Sequence, residues 1–137
     1  MAKTKRQCKP YFEEVYNAPI FYMIGGTVEE LREFFINIHG KTPELEESLS
    51  GVTWSSLDYD TLRDNHYLWL DAFDYSNIYD DSKLLHEIDH LANNILQGVG
   101  IKFSGDSEEA FSYYKEHLYE KFLGAFDYKK RKKRMVR

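Results

Sequence analysis

The stretch "NHYLWLDAFD", residues 65–74, carries apolar or aromatic side chains at six of the seven positions from 67 to 73. Its two alternating apolar sets are Leu68, Leu70 and Ala72 on one side, and Tyr67, Trp69 and Phe73 on the other. Successive side chains of a strand point to opposite faces of its sheet, so both faces of this segment need a partner. The stretch therefore predicts a strand that is covered on both sides.

Two other segments also predict strands. "PIFYMIGG", residues 19–26, is rich in aromatic and β-branched side chains and ends in two glycines, a pattern typical of a strand that runs into a turn. "GVTWSSLD", residues 51–58, is the third predicted strand.

Helical patterns surround these strands. In "TVEELREFFINIHG", residues 27–40, Thr27 and Glu30 have capping-box spacing, and the helix should end at Gly40. "TPELEESLSG" could add a short helical piece that begins at Thr42. Two longer helices follow: the first has cap candidates at residues 80–82 and runs to about residue 97, and the second is capped at residue 106 or 107 and runs to about residue 122.

This order of elements predicts an α+β fold, with a small and mostly antiparallel sheet. At 137 residues the chain can bury one core, which favours a single domain. We expect a basic N-terminal arm at residues 1–10, a domain at 11–125 and a basic C-terminal tail at 126–137.

Charge is strongly segregated along the chain. The net charge is −5, but the body between Pro10 and Tyr128 holds all 23 acids and seven bases, a balance of −16. The two ends carry +11, most of it in "KKRKKRMVR". A basic tail of this kind is typical of a segment that touches nucleic acid or an acidic partner, although a solubility tail, or one that folds back on its own acidic body, is an equal alternative.

Composition also excludes several classes of protein. No segment approaches the run of about eighteen apolar residues that crosses a membrane, and the start lacks the apolar stretch of a signal peptide, so we expect a cytoplasmic protein without a membrane partner. Cys8 is the one cysteine, which excludes an internal disulfide framework and a cysteine-rich zinc site. A bound metal would need nitrogen and carboxylate ligands.

The segment "LLHEIDHLA", residues 84–92, offers such ligands. His86 and His90 are one helical turn apart, so both imidazoles can reach the same ion, and Glu87 follows the first histidine as in the H-E-x-x-H pattern of zinc metallopeptidases. At about 100° per residue, the histidines lie opposite the apolar stripe of this helix. The stripe comprises Leu84, Ile88, Leu91, Ala92, Ile95 and Leu96. A polar face turned to water is the alternative interpretation of the same pattern.

A third ligand would distinguish the two interpretations, because catalytic zinc commonly has three protein ligands and one open position. Eighteen residues separate His90 from Glu109, which lies in the first turn of the last predicted helix. Glu109 shares a face with Tyr113 and Glu116, away from the apolar side of that helix. Spacing and face together make Glu109 the candidate third ligand.

The pattern H-E-x-x-H, eighteen residues, E resembles the gluzincin group of zinc metallopeptidases. "HEIDHLANNIL" with "SEEAFSYYKEHL" also resembles compact zincin-like proteins of bacteriophages and, more loosely, ImmA/IrrE-type domains. The resemblance covers residues 66–123. It implies a zincin-like domain in which His86, His90 and Glu109 bind zinc, Glu87 is the general base, and "NHYLWLDAF" is the strand at the active-site cleft to which a peptide pairs.

Two functions follow as hypotheses. The first is a zinc-dependent peptidase that acts on a protein or peptide substrate. The second is a non-catalytic structural or interaction protein that keeps the zincin fold for its shape, plausibly in a phage virion. Its partners would be virion proteins, and its basic ends would bind nucleic acid or an acidic partner. For a phage-encoded chain the location would be the host cytoplasm or the virion. Tyr113, His117, Tyr75 and His66 are the candidates for stabilising the oxyanion of the peptidase reaction.

Overall fold

The sheet is built around the strand that the sequence marks as buried on both faces. The structure, a computed structural model, describes residues 5–40, 45, 50–58 and 60–127. In chain order the elements are β1 (Gln7–Glu13), β2 (Ala18–Ile24), α1 (Val28–His39), β3 (Gly51–Asp58), β4 (Arg63–Leu70), α2 (Ile78–Gly98) and α3 (Glu108–Ala125). These elements form one compact α+β domain, as predicted.

The four strands lie in the order β1-β2-β4-β3. The β1–β2 and β3–β4 pairs are antiparallel, and β2 runs parallel to β4, so the sheet is mostly antiparallel as expected. Strand β4 is hydrogen-bonded on both sides, so it cannot pair with a peptide, and the expectation that "NHYLWLDAF" borders a cleft as an open strand is wrong. Strand β3, one of the two outermost strands in the described sheet, packs against α2.

Helices cover both faces of β4. Leu68 and Leu70 lie in a core cluster with α2 and α3, whereas Tyr67 and Trp69 lie in a second cluster with α1. All four side chains are at most 2% exposed. The prediction that this strand is covered on both sides is therefore confirmed, and the helix that carries the histidine pair lies on the Leu68 face.

The turn after β2 ties the two central strands together. Gly25 and Gly26 have φ values of 97° and 83°, in the left-handed region that favours glycine. The Gly25 N–H donates to the Leu70 carbonyl at 2.8 Å, and the Trp69 indole N–H donates to the Gly25 carbonyl at 2.8 Å. Helix α1 then begins with the predicted capping box of Thr27 and Glu30.

Helices α2 and α3 lie where they were predicted, but their end residues and caps differ from the prediction. The cap of α2 is Asn77, whose side chain accepts from the N–H groups of residues 79 and 80, rather than one of the candidates at residues 80–82. Ser107 occupies the cap position of α3 but makes no side-chain cap bond to that helix. No helix in the described ranges has the length and apolar content of a membrane span.

The N-terminal boundary of the domain differs from the expected one. Residues 7–10, assigned from the sequence to the basic arm, belong to β1, where Gln7 pairs with Ile24 and Pro10 pairs with Phe21. The basic character of this segment masked its strand pattern. The possible helical piece that begins at Thr42 and most of the basic tail lie outside the described residues.

The double burial of β4 makes a direct stability prediction. We expect Leu68→Ala to lower the free energy of unfolding by about 2–5 kcal/mol, because the variant loses apolar burial and leaves a cavity in a side-chain site that is 0% exposed. Urea unfolding followed by circular dichroism measures the change. The matched control is Leu62→Ala, at a leucine that is 76% exposed, which should shift stability by about 0.5 kcal/mol or less. Equal losses in both variants would contradict the assigned core.

Candidate metal centre

Helix α2 presents its two histidines to the outside. The predicted apolar stripe of α2 is buried throughout, and each of its leucines and isoleucines is at most 2% exposed. His86 and His90 lie on the opposite side and are both exposed. The predicted orientation of the helix is therefore confirmed. Its apolar stripe packs in the core cluster on the Leu68 face of β4, and its histidines face outward.

The two imidazoles are close enough to share an ion. Their Nε2 atoms are 3.2 Å apart, and the rings meet edge to face with centroids 4.7 Å apart. Two histidine nitrogens on one tetrahedral zinc, each about 2.0–2.1 Å from it, would be separated by about 3.4 Å. The pair therefore fits zinc with a small adjustment of either ring.

Glu87 points away from this exposed face. Its side chain is 6% exposed, and its Oε1 accepts a 2.7 Å hydrogen bond from the Thr53 hydroxyl of β3. Burial of a carboxylate without a donor is costly, and the hydroxyl supplies one donor here. The carboxylate of Glu87 is therefore hydrogen-bonded to strand β3.

Gly51 provides the space for that carboxylate. A Cβ atom added at Gly51 would lie 3.3 Å from Glu87 Oε2 and 3.0 Å from a methyl carbon of Leu70. A larger residue at position 51 would therefore crowd the Glu87 side chain. The sequence marked residues 51–58 only as a strand, and neither Gly51 nor Thr53 was predicted to be part of the site. Their one signal is the alternation of strand β3, which puts both residues on the same face.

Glu109 does not join the histidine pair. Helix α3 runs antiparallel to α2, as shown by the Asp89–Lys115 ion pair at 2.5 Å and by the Tyr119 hydroxyl that donates to Asp81 at 2.7 Å. Glu109 precedes Lys115 by six residues, which is about 9 Å along the helix axis. Its exposed side chain therefore lies beyond the level of His90, toward the C-terminal end of α2.

No complete ligand set is assembled as a consequence. Within the described residues, no three or more His, Cys, Asp or Glu side chains are grouped so that they could hold a metal ion. Of the four residues singled out from the sequence, the structure brings together His86 and His90, places Glu87 beside them on the β3 side, and leaves Glu109 apart. The histidine pair fits zinc, and the third ligand is not in position in this arrangement.

A second polar contact joins β3 to α2. The Ser55 Oγ lies 2.7 Å from Nδ1 of His66, and the Asn94 side-chain amide donates to the same Oγ at 3.4 Å. His66 is 4% exposed, and burial lowers its pKa, with Asp64 acting in the opposite direction. This imidazole also lines a cavity of about 300 Å³ between the end of the sheet and the C-terminal end of α2.

The four candidates for an oxyanion donor lie in different environments. His66 is hydrogen-bonded to Ser55, and the His117 Nε2 lies 3.3 Å from the Tyr11 hydroxyl. Tyr75 packs partly buried against the core cluster of α2 and α3. Tyr113 is 65% exposed, which leaves its side chain accessible to a ligand at the surface.

Comparison of the chain with protein-family models, with curated proteins and with solved structures gives no match. The residues and their geometry therefore carry the functional argument.

The environment of His66 predicts a pH dependence of stability. The folded state disfavours its charged form, whereas the unfolded chain takes up a proton below a pH of about 6.5. The unfolded state thus binds more protons, so stability falls as pH drops below that value. We expect His66→Asn, which retains an acceptor for Ser55, to lose less stability than the wild type between pH 7.5 and 5.5. Urea unfolding in the presence of a chelator measures this difference, and equal losses would contradict it.

Proposed function

We propose that this chain is a zinc-dependent peptidase of minimal gluzincin type. His86 and His90 would hold the zinc, and Glu87 would be the general base. Glu109, the third ligand that the sequence spacing predicts, lies apart from the pair and would have to move toward it to reach the ion. The observation that carries the proposal is the 3.2 Å separation of the two Nε2 atoms on an exposed helix face. This distance is close to the separation of about 3.4 Å expected for two histidine nitrogens on one tetrahedral zinc ion.

The chemistry divides between the ion and the chain. Zinc, when bound, would supply a Lewis acid that polarises a peptide carbonyl and lowers the pKa of water to about 7. Glu87 would accept the proton of the attacking water and later deliver it to the leaving amine. The Thr53 hydroxyl holds this carboxylate beside strand β3, so the base would act from the sheet side of the histidine pair.

Strand β3 offers a place for the substrate. It is an outer strand of the described sheet, and its residues 53 and 55 contact α2 through Glu87 and Asn94. An extended peptide could add to the outer side of β3 by main-chain hydrogen bonds. Such a peptide would run along the side of α2 that carries the proposed base. The substrate class we propose is therefore an extended segment of a partner protein.

Metal content and hydrolysis test this function together. We expect purified protein to bind about one zinc per chain, and Glu87→Gln to keep the zinc while hydrolysis of a protein substrate falls by about 100-fold or more, because the base is lost. Zinc is measured by mass spectrometry and cleavage by gel assay. His86→Ala should lose both zinc and hydrolysis. Folded wild-type protein that binds no zinc would contradict the proposal.

The third ligand needs its own control in that experiment. Glu109 and Glu116 are both exposed on the outer face of α3, and Glu116 lies nearer the level of His90. We expect Glu109→Gln to weaken zinc binding and Glu116→Gln to leave it unchanged. The reverse result would assign the third position to Glu116 and overturn the role of Glu109.

A second candidate function is a non-catalytic structural or interaction protein, plausibly of a phage virion. Two observations favour it. Glu87 is buried and hydrogen-bonded to Thr53, and Glu109 lies apart from the histidines. In this case Glu87 connects α2 to β3, and the interactions of the protein depend on its charged surface and basic ends.

The basic tail gives this second function its test. Removal of residues 129–137 deletes seven positive charges. We expect the truncated chain to bind duplex DNA or an acidic protein more weakly than the full chain, with a shallower dependence on salt, because fewer counterions are released. Fluorescence anisotropy at several salt concentrations measures both quantities. Binding that is unaffected by the truncation would exclude a role for the tail.

A further inference from the structure

We infer that Thr53 is a positioning residue for Glu87, and that Gly51 is the position that must stay small for it to act. The inference rests on the proposed peptidase function, because it concerns the residue assigned there as the base. It arises from the contact between the outer strand β3 and the helix α2, which neither the H-E-x-x-H pattern nor its spacing contains.

The hydroxyl of Thr53 is aimed at the carboxylate. It lies 2.7 Å from Glu87 Oε1 and 3.1 Å from the backbone oxygen of the same residue. A hydroxyl has one hydrogen to donate, and the charged and nearer acceptor gives the stronger bond. The second contact shows that the same hydroxyl also lies close to the helix backbone. Thr53 therefore determines the position of the side chain relative to the turn of α2 that carries the histidines.

Gly51 closes the other side of the carboxylate. The space that its missing side chain leaves is bounded by Glu87 Oε2 and by Leu70, at 3.3 Å and 3.0 Å from an added Cβ. One carboxylate oxygen thus receives a hydrogen bond, and the other lies against a glycine. The Glu87 side chain, 6% exposed, is held from both sides by residues of one strand.

This arrangement matters for a general base because proton transfer depends on the position of the base as well as on its presence. A base has to lie within about 3 Å of the proton that it takes, and a shift of one ångström costs rate. A strand that holds Glu87 and also pairs with a substrate would bring the peptide and the base into register. Loss of the Thr53 hydroxyl should therefore reduce turnover more than it reduces substrate binding.

The kinetic test compares two substitutions at one site. We expect Thr53→Val to keep zinc and to lower kcat about 10- to 100-fold with KM changed less than about twofold, and Thr53→Ser to restore most of the rate because the hydroxyl is retained. Gly51→Ala should lower kcat in the same direction. Ser56→Ala, which removes a hydroxyl from the other face of β3, is the matched control. A Thr53→Val enzyme with unchanged kcat would overturn the inference.

A stability cycle tests the same contact without zinc or substrate. We expect Thr53→Val to lower the urea midpoint of the metal-free wild type, because a buried carboxylate loses its donor, and to lower it clearly less in a Glu87→Leu background. Ser56→Ala should have the same effect in both backgrounds. Equal shifts for Thr53→Val in the two backgrounds would overturn the role of Thr53. A wild type with no hydrolysis would instead overturn the peptidase proposal. The stability cycle would still test whether Thr53 stabilises the carboxylate of Glu87.

Discussion

The burial of β4 on both faces is the constraint on which the rest of the structure depends. Its residues 67–70 alternate between two apolar clusters, and every one of these side chains is buried. One face therefore has to receive α1, and the other has to receive α2 and α3. Strands β2 and β3 pair along its two sides, so their order also follows from the position of β4.

The orientation of α2 follows from the same constraint. The leucines and isoleucines of its apolar stripe must contact the Leu68 face of β4, which turns His86 and His90 outward. Glu87 lies between these two directions and reaches β3, where a hydroxyl is available to a carboxylate that is removed from water. The site is therefore an exposed histidine pair with a buried acid beside it. Two residues of strand β3, Thr53 and Gly51, contact this acid.

Much of this could be predicted because the patterns concerned are local. The capping box of Thr27 and Glu30, the apolar stripe of α2 and the exposure of the histidines follow from a period of 3.6 residues and from a few short-range hydrogen bonds. The N-terminal strand was missed because the four basic residues in the first nine indicated a solvated arm. Pairing with β2 stabilises residues 7–13 as a strand despite that charge.

The sequence by itself determined the α+β fold, the double burial of β4 and the helix that turns two imidazoles outward, since each depends on which faces of a single element are apolar. Only the tertiary structure decided that β4 lies inside the sheet, that Thr53 and Gly51 surround Glu87, and that Glu109 lies apart from the histidines. These facts depend on strand order and on the register of α2 against β3 and α3. Contacts between segments distant in the chain set that register, and no local periodicity encodes it.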